Sequence, residues 1–80
     1  MLQWVLQRDA HALTCELDAR DDQSYEVCVV PHWDPASTLI ERFETPTLAV
    51  LRHADLTKRL RESGWVVIDH VVPRGFNAAA

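Results

Sequence analysis

One segment of this chain has the start, the face and the stop of a long α-helix, TPTLAVLRHADLTKRLRESGW from Thr45 to Trp65. A single helix carries one apolar stripe, so it covers one face of a sheet and leaves the other to solvent or to a partner. Thr45 before Pro46 is the start signal: a threonine hydroxyl accepts from an orphan N–H of the first turn, and proline is tolerated at the first helical position. Gly64 is the stop, with Arg59 and Arg61 placed to suit the negative end of the helix dipole. Ala49, His53, Leu56 and Leu60 recur at the spacing of one helical stripe. Arg52, Asp55, Lys58, Arg59 and Glu62 fall on the far side, where Asp55 with Arg59 and Lys58 with Glu62 are opposite charges four apart. Leu48 and Leu51 lie off the stripe. Either the strands wrap around the first turn or a partner covers them.

The rest of the chain alternates with the period of strands. Leu2, Trp4 and Leu6 alternate with Gln3, Val5 and Gln7, and Asp9-Ala10 makes a turn. Leu13, Cys15 and Leu17 then face one way, with Thr14, Glu16 and Asp18 facing the other. After the polar turn Arg20–Gln23, the run Ser24–Val30 resumes with Tyr25, Val27 and Val29 on one face. The break at Pro31–Pro35 leaves residues 36–43 open to two readings. Ala36, Leu39, Ile40 and Phe43 have helical spacing, whereas Thr38–Phe43 is a strand by its β-branched and aromatic content, and the strand is favoured. Trp65–Val72 forms the last strand, with Val66, Ile68 and Val72 on one face and Trp65, Val67 and Val71 on the other, ended by Pro73.

The expected fold is therefore α+β, an antiparallel β-meander of three to four strands, one long helix packed on one face, and a C-terminal strand (β-β-β-β-α-β). Residues 1–73 form one domain, and 74–80 an unpatterned tail expected to be disordered. The set Glu41-Arg42-Phe43, Thr45-Pro46, Ala49, His53, Leu56, Leu60 and Gly64-Trp65, after Trp4 and the Tyr25-Glu26-Val27 strand, resembles a group of small uncharacterised bacterial proteins with this meander, helix and Gly-Trp ending. The resemblance implies the strand at 38–43 and no activity.

Several function classes are disfavoured. A net charge of −4 opposes general attraction to nucleic acid or an anionic membrane. No apolar run approaches the ~18 residues of a spanning helix, and no secretion signal opens the chain. A cytoplasmic location with reduced Cys15 and Cys28 is expected. A two-residue turn at Asp21-Asp22 would set Cys15 opposite Cys28, but the apolar alternation puts the thiols on opposite faces, where they cannot bond. His32, Asp34 and His70 are the residues to watch for a metal, although no His-x-x-x-His or Cys-x-x-Cys spacing supports one. His53 is expected to be a buried imidazole bonded to a strand carbonyl or to Tyr25. No motif for a nucleophile, a phosphate loop or a cofactor is present, so no catalytic, cofactor or metal residue is assigned and an enzyme is not expected.

What remains is association. The chain is short for a self-sufficient core, and one helix cannot cover both sheet faces. The expectation is a non-enzymatic interaction or regulatory module that self-associates as a homodimer or docks on another protein. Its surface is drawn from Trp33, Leu48, Leu51, Arg52, Val66 and Ile68. The alternative is a weak nucleic-acid-binding domain using Arg52, Lys58, Arg59 and Arg61 on the helix. No membrane contact and no small-molecule substrate are indicated.

Overall fold

The computed structural model describes residues 2–71, and the end of the last strand at Val72-Pro73 and the 74–80 tail lie outside the described residues. Within them the chain forms β1 (Leu2–Arg8), β2 (His11–Ala19), β3 (Tyr25–Pro31), a single 3-10 turn (Pro35–Ser37), β4 (Leu39–Phe43), α1 (Pro46–Glu62) and β5 (Val66–Val71). The strands make one antiparallel sheet in the order β4-β3-β2-β1-β5. The fold class is α+β, with the meander running to four strands. The open segment at 36–43 takes the favoured strand reading: a 3-10 turn at Pro35–Ser37 leads into β4, which contains the Leu39, Ile40 and Phe43 of the helical alternative.

Local signals explain the element boundaries. Asp9 takes a φ of 55°, the positive value that the tight primed hairpin turns require, and this lets Arg8 pair directly with His11. Thr45 Oγ1 accepts from the Leu48 N–H at 3.3 Å and caps α1. At the other end Trp65 N–H bonds to Leu60 O (3.0 Å) and Gly64 N–H to Arg61 O (3.1 Å), while Gly64 holds φ at 95°. That is a Schellman closure, and the Trp65–Leu60 contact in the core is its usual apolar companion.

The helix packs on one face only. Leu6, Leu13, Cys15 and Trp65 form one buried cluster, joined by Trp4, Val29, Leu56, Leu60 and Val67. Leu17, Val27 and Ala49 form a second, with Leu2, Tyr25, Phe43 and Val50 around it, and Leu56 touches both. Each large side chain moved from water into such a cluster contributes ~1.5–3 kcal/mol, so these few residues supply most of the apolar stabilisation. His53 is buried in the same layer, where its Nε2 donates to the Cys15 carbonyl at 3.0 Å. The sequence expectation of a strand-carbonyl partner is met.

The β2–β3 register bears out the apolar alternation, and the β5 register differs from the sequence reading. The β2–β3 connection spans residues 20–24, because Ala19 pairs with Tyr25; Cys15 therefore faces Val29, and Cys28 faces Glu16. The thiols lie on opposite faces and both are free. In β5 the register against β1 shifts between Val5 and Leu6, with Val67 opposite Leu6 and Asp69 opposite Val5. Ile68 is the extra residue of this bulge, so strict alternation fails across it. Val67 and His70 consequently share the helix-covered face with Leu6 and Trp4. Val71, expected beside Val67, sits instead with Val66 on the uncovered face.

Candidate functional site

The residues proposed from sequence as a contact surface do not form one patch. Trp33 and Val66 lie at the end of the sheet where the β1–β2 hairpin and the C-terminus of α1 meet, since Trp33 stacks near Trp65 and Val66 pairs with Gln7. Leu48 and Leu51 are exposed near the other end of the molecule, in the first two turns of α1. Ile68 is exposed at the β5 bulge, on the outer edge of the sheet.

Arg52 is not an available cation. Its Nε bonds to Glu41 at 2.8 Å and its Nη1 to Asp55 at 3.0 Å, and the Glu41 contact leads in holding the guanidinium charge more firmly than usual. Asp55 also takes Arg59 at 3.1 Å, the expected pair four residues apart. No Lys58–Glu62 bridge forms among the described residues. On the uncovered face Arg20 (3.0 Å) and Arg42 (3.2 Å) both bind Glu26, and these bonds overcome the opposing effect of burial to lower its pKa.

The uncovered face is mixed in character. Its β2 and β3 portion holds Glu16, Asp18, Glu26 and Cys28. Burial, and then the neighbouring Asp18, raises the Glu16 pKa. Burial, then Glu26 and Glu16, raises the Cys28 thiol. Cys15, under the helix, is pushed up to about 12, chiefly by burial. Neither cysteine is thus poised as a thiolate nucleophile. His32, a metal candidate from sequence, shares a 2.7 Å hydrogen bond with Thr14 Oγ1 and covers that buried hydroxyl. His70 lies against Trp4 on the other face, with ring centroids 6.3 Å apart. Among the described residues no three His, Cys, Asp or Glu side chains come together as a metal set. The β1–β5 portion of the uncovered face is mixed as well: Val5 pairs with the exposed Asp69, the exposed Val66 with Gln7, and the exposed Val71 with Gln3.

The described residues also form a concavity that the sequence did not suggest. Arg8, Asp9, His11, Trp33 and Trp65 line an open cleft of about 350 Å³. Trp65 is 8 % exposed and Trp33 54 % exposed; the rings lie within 18° of parallel with centroids 6.2 Å apart. His11 meets Trp33 edge-on at 4.9 Å. The Arg8 guanidinium lies over Trp65, 5.0 Å from the ring centroid, and its Nη1 donates to Ser63 O at 3.0 Å. The only sequence signal for this site was the placement of Trp33 and Trp65 at two breaks in the strand and helix pattern. Compared with known proteins, the chain matches no family model, no curated protein and no solved structure.

Proposed function

We propose that this protein is a non-enzymatic interaction module that self-associates through the β1–β5 portion of its uncovered sheet face. The observation that carries this reading is the one-sided packing of α1, which faces β2, β3 and β4 and leaves Val66 and Val71 exposed on the opposite face of the sheet, on either side of Asp69. Exposed apolar side chains at a sheet margin are what a second sheet or a partner surface buries. The bulge at Ile68 disfavours simple strand addition along the β5 edge, so packing is face to face rather than edge to edge. The helix arginines that nucleic acid would use are engaged with carboxylates or with the helix backbone, which favours a protein surface as the partner. The reading places the module in the cytoplasm, consistent with two free cysteines on opposite faces. No helix is long and apolar enough to cross a membrane.

Sedimentation velocity across a wide concentration range tests the reading. A dimer should form in the wild type and dissociate when Val66→Lys and Val71→Lys are combined, with circular dichroism unchanged. A strict monomer at the highest concentration, or a dimer indifferent to both lysines, contradicts it.

A further inference from the structure

The cleft bounded by Trp33 and Trp65 holds two charges of opposite sign, Arg8 and Asp9. Among the described residues neither makes an ion pair, although the two are adjacent in the chain. A guanidinium has five N–H donors; one goes to Ser63 O, and the others have no acceptor among the described residues. The hairpin fixes both residues: Arg8 pairs with His11 across the turn, and Asp9 is the residue at positive φ. Beside the two charges stands the exposed indole of Trp33, which His11 meets at an interplanar angle of 82° and Trp65 stacks against. A planar ring stacks favourably on an exposed aromatic side chain.

A cation site for a carboxylate, an anion site for an ammonium and a wall for a ring are the three elements that recognise a free aromatic α-amino acid. The volume of about 350 Å³ is at the small-molecule end of the range for ligand sites. Asp9 would repel a ligand that is only anionic, and Arg8 one that is only cationic. We propose that this cleft binds an aromatic α-amino acid as its zwitterion, with the carboxylate on Arg8, the ammonium on Asp9 and the ring on Trp33.

Proton–nitrogen NMR of the labelled protein tests this, because the chain has three tryptophans and each indole N–H gives its own signal. Added L-tryptophan should shift the Trp33 and Trp65 signals saturably and leave that of Trp4 in place. Glycine lacks the ring and indole lacks both charges, so each should bind at least about tenfold more weakly. Trp33→Ala and Asp9→Asn should each weaken L-tryptophan by roughly tenfold or more. Asparagine tolerates the positive φ at position 9, so that variant folds while losing the charge. Arg8→Gln retains a donor for Ser63 O and should weaken binding similarly. The proposal is overturned by an absence of saturable shifts up to ~10 mM, by equal affinity for indole and L-tryptophan, or by tighter binding of a nucleoside monophosphate than of the amino acid.

Discussion

His53 ties the helix to the sheet through a single buried nitrogen, and its titration is therefore a folding event. Burial lowers its pKa below the ordinary 6.5, with the Cys15 carbonyl opposing that effect in part. The unfolded chain accordingly takes up a proton at a pH where the folded chain still holds a neutral ring. Well above pH 6.5 both states are neutral and His53 contributes no pH dependence. As pH falls from there through the lowered folded value, stability declines with a slope of at most ~1.4 kcal/mol per pH unit. The raised pKa of Glu16 acts in the opposite sense, since its protonation in the folded state relieves a half-buried charge, but this occurs nearer the carboxylate range. Urea unfolding followed from about pH 7.5 to 5 should show the decline, and His53→Gln, which keeps an N–H donor for the Cys15 carbonyl, should flatten it. An unchanged slope in the variant would assign the titration elsewhere. The spacing Ala49, His53, Leu56 already placed this imidazole inside, because burial follows helical period. Its partner was not legible to the atom, since that depends on how far the helix slides along β2.

The elements followed their local chemistry wherever a signal was self-contained. Thr45, Pro46 and Gly64 delimit α1 because each acts on backbone groups within a few residues of itself. Thr45→Ala removes the acceptor for Leu48 N–H and should cost about 1 kcal/mol, within the ~0.5–2 kcal/mol range for such caps. Thr45→Ser should cost a small fraction of that. Thermal unfolding of the three proteins measures both, and equal losses for alanine and serine would show that the cap hydroxyl carries little. Signals that depend on register were less legible. The loop at residues 20–24 is longer than its Asp21-Asp22 centre suggested, and closes through Arg20 N–H to Ser24 O (2.8 Å) and Asp22 Oδ1 accepting from Ser24. A change of loop length moves every partner on the next strand, which is how Cys15 came to face Val29. The β5 bulge has no marker such as glycine in VVIDHV, and one inserted residue transferred Val71 to the other face.

At the scale of the molecule, the strand order decides what meets what. Placing β5 beside β1 takes the helix across three intervening strands and brings the β1–β2 hairpin, the loop after β3 and the end of α1 to one corner. The Arg8–His11 hairpin, Trp33 and Trp65 are far apart in sequence, so their convergence was invisible until that order was known. The same order leaves β5 outermost, beyond the helix contacts made by β2, β3 and β4, with Val66, Ile68 and Val71 exposed. The buried apolar set of Leu6, Leu13, Cys15, Leu17, Val27, Ala49 and Trp65 is small for a domain of this length. Chains of this size are marginal without further burial. If self-association supplies that burial, folding and assembly share one equilibrium, and stability must depend on protein concentration. For a folded dimer unfolding to two separate chains, each tenfold rise in concentration adds ~1.4 kcal/mol per dimer, or ~0.7 per chain, which for a domain this small corresponds to a rise in Tm of about 3–5 °C. Calorimetry over a hundredfold range should therefore show Tm climbing, and the Val66→Lys, Val71→Lys variant should show a lower Tm that no longer moves. A wild-type Tm independent of concentration would mean that the one-sided core is sufficient alone and that the exposed strip serves a different partner.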